Sequence, residues 1–322
     1  MFRFRIVPDN TKIQFMKGRI AGLVVSAVLS IASLVLWYHP GLSYGVDFQG
    51  GIIFEVRQQE PADFARIRST LSPLNLGEVG LQQLGSPQDF LIRLEQQRGG
   101  EEAQQKAITE VRSTLTKAFP STEFRRVEAV GATISEELWH NGMLAMGLAL
   151  VAMLAYIAFR FQWQFGVGAV ATLILDVTKI VGVYAVTQLP FNLTSIAAIL
   201  TIMGFSINDK VVVYDRVREN LRKYKSLPLR QLIDLSINET LNRTINTSLT
   251  TFLATLPLAI FGGESVQGFA IVILIGIVIG TSSSIFIAAP ILLFLGENRL
   301  RREAAPAAPP AAPPPGAAAK KS

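Results

Sequence analysis

The chain has 322 residues, half of them hydrophobic, with only 17% charged residues and a formal net charge of +6. Soluble domains carry about a quarter charged residues. Here the charge gathers in a few blocks between long apolar runs, which sets aside a soluble globular protein and points to a polytopic membrane protein. Without cysteine there is no disulfide or thiol chemistry, and without a GxxxxGK[ST] or HExxH stretch there is no signature of ATP hydrolysis or zinc catalysis. The basic excess reads as loops facing anionic lipid rather than as nucleic-acid binding.

Residues 1–17 are basic, with Arg3, Arg5, Lys12 and Lys17. The first apolar run, 20–37, is too long for a signal h-region and no A-x-A-like site follows it, so it reads as a retained span. The only sizeable polar block is 41–137. Within it, 45–57 alternates like a strand, 61–71 has helical spacing, and 79–84 and 90–94 read as strands around a turn at 85–89. A helix follows over 101–119, with Ala103, Ala107, Val111 and Leu115 at i+4 steps, and then a strand over 124–130. This β-α-β-β-α-β order predicts a ferredoxin-like sandwich.

Five more apolar runs follow, at 138–159, 165–186, 193–213, 245–261 and 269–295. Most reach across a ~30 Å hydrocarbon core at 1.5 Å per residue. The fold class is therefore an α-helical membrane protein of six transmembrane helices plus one ferredoxin-like α+β external domain. Lys and Arg alternate between the connections: Arg160, the 214–244 loop (Arg216, Arg218, Arg222, Lys223, Lys225, Arg230) and Arg299, Arg301 and Arg302 mark one side. The turns 188–192 and 262–267 carry none. By the positive-inside rule both termini are cytoplasmic and the polar block is external. The expected organisation is a cytoplasmic segment 1–17, a first span 18–38, a periplasmic domain 39–137, spans two to six over 138–296 with a cytoplasmic loop 214–244, and an Ala/Pro-rich tail 297–322 that cannot bury a core of its own.

Four ionisable groups fall within the spans: Asp176, Lys179, Asp209 and Lys210; Arg243 opens the fifth. A charge at the bilayer centre costs ~2.5–3.5 kcal/mol on insertion scales, so such groups face the bundle interior or water and have partners. Counted back from Arg216, Asp209 lies ~10 Å below the inner boundary. It is too short to reach the interface and must be protonated, paired or wet. Lys210 points ~100° away around the helix and can snorkel. Arg243 enters from the same side and can match the depth of Asp209, and Thr247 is on the same helix face as Arg243. This set can form a fixed structural pair, or a pair whose making and breaking loads and unloads a proton, because Arg keeps its own proton. Asp176 and Lys179, at i and i+3, can neutralise each other or join a relay.

Three stretches carry a family resemblance. The first is Gly45-Val46-Asp47-Phe48-Gln49-Gly50-Gly51. The second runs from Gly204-Phe205-Ser206-Ile207-Asn208-Asp209 into Val211-Val212-Val213-Tyr214-Asp215-Arg216-Val217-Arg218-Glu219-Asn220. The third is Asn242-Arg243-Thr244-Ile245-Asn246-Thr247-Ser248. In this order they closely resemble the SecF family of bacterial protein-export subunits. The resemblance implies a resistance–nodulation–division type of fold in the bacterial inner membrane, a heterodimer with SecD, and work alongside the SecYEG channel, SecA, YajC and YidC on preprotein substrates. It implies no enzyme activity, cofactor or metal, with protons as the coupling ion. It assigns proton transport to Asp209, Arg243 and Thr247, with Asp176, Lys179 and Lys210 as further candidates. It also marks Gly45, Asp47, Gly50 and Gly51 as a motif at the base of the external domain. The sequence departs from the family pattern at Leu175, where His is usual, and at Lys210, where Thr or Ser is usual. The departure at Lys210, with Lys179, sets two further cations near the route. An efflux transporter of the same superfamily and a passive scaffold are the competing readings. The single repeat and single small domain weigh against the first, and the intramembrane Asp and Arg against the second.

Overall fold

A computed structural model describes residues 8, 11–97, 99–161 and 163–294. The basic residues Arg3, Arg5, Arg299, Arg301 and Arg302 and the Ala/Pro-rich tail lie outside the described residues.

Among the described residues, six helices are long and apolar enough to cross a membrane. They are α1 (Arg19–Tyr38), α5 (Ala132–Arg160), α6 (Trp163–Thr187), α7 (Leu193–Lys223), α8 (Leu229–Phe261) and the sixth span, built from α9 (Glu264–Ser283), a π-helical turn (Ser284–Ala288) and α10 (Ala289–Phe294). The wide turn has a local cause. Pro290 has no N–H to offer the carbonyl of Phe286, so the regular ladder cannot run through this point. Within their apolar stretches α6, α7 and α9 are half or more buried by the rest of the chain, whereas α1, α5 and α8 show most of theirs outward.

Close helix contacts depend on small residues, as expected where lipid offers no hydrophobic drive to association. Ser26, Ser30 and Ser33 form the buried stripe of α1. A side chain at Gly182 of α6 would overlap Ser33.

The polar block folds as a four-stranded antiparallel sheet in the order β2-β3-β1-β4. Its strands are β1 (Gly51–Arg57), β2 (Val79–Leu84), β3 (Ser86–Leu94) and β4 (Glu123–Val130), with helices α3 (Phe64–Leu71) and α4 (Gly100–Ala118). β1 pairs with β3 (Ile52 opposite Leu94) and with β4 (Gly51 opposite Val130). This is the split β-α-β arrangement expected of a ferredoxin-like layer. Ile52, Phe54, Val56, Phe90, Ile92 and Leu94 from the sheet meet Ile67, Leu71, Ala107, Val111 and Leu115 from the two helices in one core. Asp63 caps α3 by accepting from the Arg66 N–H at 3.1 Å.

Three expectations need correction. Residues 46–49 do not extend the first strand: they form a helical turn, α2 (Val46–Gln49). Gly50 and Gly51 then turn the chain into β1 with φ of 70° and 116°, and a Cβ on Gly51 would overlap the Leu94 carbonyl. The hairpin turn is shorter than 85–89, because β3 already begins at Ser86. The stretch 214–244 is helical except for the turn around 224–228, since α7 continues to Lys223 and α8 begins at Leu229.

Candidate functional site

α7 is the central element. At the end nearest the sheet it is fastened to the base of the external domain. Gly45 N–H donates to the Phe191 carbonyl at 2.8 Å, and Phe191 N–H donates to Ser43 at 2.7 Å. Asp47 Oδ2 accepts from the N–H of Leu193, the first residue of α7, at 3.0 Å. Asn192 and Ser195 complete a capping box on the same helix end. A Cβ on Gly45 would sit 3.0 Å from Asn192 Cβ, so the two segments approach closely only because position 45 has no side chain. Tyr44, Phe48, Trp139 and Phe191 pack edge to face around this joint. The Gly45–Gly51 motif therefore bolts the sheet domain to the helix that carries Asp209.

Asp176, Lys179, Asp209 and Lys210 are all buried, at 1%, 6%, 6% and 1% exposure. The pairing differs from expectation. Lys210 does not snorkel: its Nζ donates to Asp176 Oδ2 at 2.8 Å and to Ser283 Oγ at 3.1 Å, and it also bonds Ser206 Oγ. Asp176 Oδ2 also accepts from Ser206 at 2.8 Å and Ser283 at 2.7 Å. Lys179 lies 3.6 Å from Asp176 Oδ1, an ion pair beyond hydrogen-bond reach. One carboxylate on α6 thus ties α7 and α9 together. Lys210 takes this direction because Ser206, one turn earlier on α7, and Asp176 offer it buried acceptors, which a path to the interface would forgo.

Asp209 faces α8. Its Oδ1 accepts from the Thr244 hydroxyl at 2.7 Å, and Oδ2 has no hydrogen-bond partner among the described residues. Ser284, on the π-helical turn, also reaches this carboxyl. Arg243 acts on Asp209 through space but forms no ion pair with it among the described residues, and its side chain is exposed. Thr247 is exposed too, and its hydroxyl returns to the Arg243 carbonyl at 2.5 Å. The expected convergence of Arg243 and Thr247 on Asp209 does not occur within this chain. The reason is the rotation of α8. Its buried residues are Leu229, Leu232, Ile233, Ser236, Ile237, Thr240, Leu241 and Thr244, one stripe at helical spacing. That stripe turns Thr244 inward and leaves Arg243, Asn246, Thr247 and Thr250 on the outer face.

Depth follows from the same helix. Asp234 of α8 accepts from the Met16 N–H at 2.8 Å, just ahead of the start of α1 at Arg19. Thr244 lies ~15 Å further along α8, so Asp209 sits near the middle of a ~30 Å core. This is deeper than the count from Arg216 gave. The boundary falls nearer Asn220, whose amide donates to Ser236 of α8 at 3.0 Å.

Thr244, Ser206, Ser283 and Ser284 join the site without having been singled out from the sequence. A signal was present: Thr281, Ser282, Ser283 and Ser284 interrupt an otherwise apolar run. Ser206 also stands one turn before Lys210 on the same face.

The comparisons with known proteins agree with this architecture. Residues 110–298 match the family described as protein export membrane protein SecD/SecF, C-terminal, and residues 35–62 match the SecD/SecF GG motif. The protein translocase subunits SecF of Rickettsia bellii and Rickettsia prowazekii are each 41% identical to this chain, over 94% of it and over 99% and 97% of their own lengths. The crystal structure of SecDF, a translocon-associated membrane protein from Thermus thermophilus, superposes with a TM-score of 0.82 at 32% identity. That match covers 90% of this chain but only 39% of the SecDF chain. SecDF in a super-membrane-facing form matches with a TM-score of 0.63 at 30% identity, over 92% of this chain and 40% of its own. By its sequence over nearly the whole length, its helices and its domain-base motif, the chain belongs to the SecF branch of the SecD/SecF family of protein-export membrane proteins.

Proposed function

We propose that this chain pairs with SecD in the bacterial inner membrane, and that the pair uses proton movement to complete preprotein translocation after the ATP-driven step of SecA at the SecYEG channel. The observation that carries this reading is the state of Asp209. It is a buried carboxyl at mid-depth, with one oxygen on Thr244 and the other without a hydrogen bond among the described residues. A cation, Arg243, directly precedes Thr244 on α8 and faces outward. An exposed guanidinium and a row of hydroxyls on a membrane span call for a polar partner, and a second membrane subunit against α8 supplies one. Protonation of Asp209, and its approach to or separation from Arg243, then form the proton-loading step. Asp176, Lys179 and Lys210 hold the surrounding helices in register. The joint at Gly45, Asp47, Gly50 and Gly51 passes movement of α7 to the sheet domain. The two SecDF forms match this chain at nearly equal identity and coverage but unequal TM-score, which supports a family whose parts rearrange. Each proton crossing 100 mV supplies ~2.3 kcal/mol, enough to shift a domain between states a few kcal/mol apart.

The orientation belongs to the same proposal. The α7–α8 turn, with Arg218, Arg222, Lys223 and Lys225 nearby, faces the cytoplasm, and the sheet domain faces the periplasm.

The test is Asp209→Asn, co-reconstituted with SecD in proteoliposomes carrying the translocon. Proton uptake and late-stage preprotein export should both be lost. Normal values for both would sink the proposal, and lost export with intact proton uptake would reduce Asp209 to a structural lock.

A further inference from the structure

A cleft of about 570 Å³ lies at the other end of the molecule from the sheet domain, between the segment ahead of α1 and the first turns of α8. Lys12, Lys17 and Arg230 line it, with Gln14, Gln231 and Asp234. We propose that this cleft binds a phosphate group at the level of the lipid headgroups, carried by an anionic phospholipid.

Its wall is built rather than draped. Met16 is fully buried in the helical core, and Phe15 packs edge to face on Phe286. Met16 N–H donates to Asp234 Oδ1, Ile13 N–H donates to Asn238 Oδ1 at 3.0 Å, and Asn238 Nδ2 donates back to the Ile13 carbonyl at 2.9 Å. These bonds engage Asp234, the one acid of the cleft among the described residues, with backbone. The three cations make no ion pair among the described residues, and all three are exposed. Among the described lining residues, three positive groups against one such carboxylate give a net charge of about +2, set by basic side chains from two separate segments. Its position selects the ligand. Lys17 stands just ahead of Arg19, where α1 begins, so the cations lie where the first span enters the hydrocarbon. At that level the abundant anion is a headgroup phosphate, and basic pockets between helices are where such groups bind.

The test titrates the purified full-length chain in detergent with phosphatidylglycerol and, separately, with phosphatidylcholine, reading bound lipid by native mass spectrometry. A K12Q/K17Q/R230Q variant should bind phosphatidylglycerol at least about tenfold more weakly, with phosphatidylcholine unchanged. A R222Q/K223Q/K225Q variant, which removes three cations near the α7–α8 turn but outside the cleft, should bind like the parent. Excess inorganic phosphate distinguishes the sources. Failure to displace the lipid assigns the site to a headgroup, and displacement assigns it to the phosphate group alone. Equal phosphatidylglycerol binding by the cleft variant and the parent, or equal loss in both variants, overturns the proposal.

Discussion

Two carboxyls sit in the middle of the helical body, and the chain treats them differently. Asp176 is paired with charge: Lys210, Ser206 and Ser283 all donate to one of its oxygens, and Lys179 stands 3.6 Å from the other, which has no hydrogen bond of its own among the described residues. Asp209 has a hydroxyl from Thr244 on one oxygen and, among the described residues, no hydrogen bond on the other and no ion pair. Its nearest cation on α8 faces outward. The burial cost applies to both, so depth alone does not separate a structural charge from a working one. Charge pairing does. An acid paired with cations within one chain locks helices together, and an acid left without a paired cation within one chain is available to a partner or a proton.

The largest effect should come from breaking the charge-paired site. Asp176→Ala leaves Lys179 and Lys210 buried without their carboxylate. Removal of one member of a buried pair costs about 3–5 kcal/mol, so a marked fall in thermal stability of the detergent-solubilised chain is expected. Adding Lys210→Met to Asp176→Ala removes one stranded cation and should recover part of the loss. Wild-type stability in the single variant would show that this network does not hold α6, α7 and α9 together.

A smaller effect separates the two threonines of α8. Thr244→Val removes the hydroxyl hydrogen-bonded to Asp209 Oδ1 at 2.7 Å and should cost about 1–3 kcal/mol, the range for a buried acceptor left without its donor. Thr247→Val removes a bond to the carbonyl of its own helix on an exposed face and should stay within about 0.5 kcal/mol of the parent. Unfolding measured on the isolated chain gives the ranking, and the reverse order would mean that α8 is rotated differently. With SecD present, a defect in proton uptake from Thr247→Val would place that hydroxyl in the contact between subunits.

The α7–α8 pair also shows how far the sequence could be read. The spans and the sheet order were legible because hydropathy and periodicity are local signals. The short helical turn at Val46–Gln49 was not: over so few residues, Val46 and Phe48 suit an alternating strand as well as a helix. The start of α8 was missed because its inner half hides apolar residues on one stripe while Glu239, Asn242 and Arg243 keep the average hydropathy low. Once the helix is known to begin at Leu229, the i+4 series Ser236, Thr240, Thr244 puts Thr244 inside and Arg243 outside. The Asp176–Lys210 bond was hidden for another reason. Sequence spacing offers the i+3 partner Lys179, whereas the stronger contact crosses between helices and depends on how α6 and α7 pack. The acidic site at Asp209 was legible from its cost alone, but its partner was not.

The smallest predicted effect concerns the joint between domain and membrane. Asp47 caps α7 from outside the helix, through one bond to the Leu193 N–H, while Asn192 and Ser195 cap the same end from within. Because that internal box persists, Asp47→Ala should cost only about 1 kcal/mol, near the middle of the range for a lost cap. The local consequence is more specific. Leu193 N–H loses its acceptor, so its hydrogen exchange should quicken relative to the buried middle of α7, where the ladder is intact. Asp47→Asn keeps a side-chain oxygen at the same place and should restore slow exchange. Unchanged exchange in the alanine variant would mean that the bond does not anchor the helix. Fast exchange together with normal export would show that movement reaches the sheet domain through the backbone bonds of Phe191 to Gly45 and Ser43 instead, which also tie the domain base to the residues leading into α7.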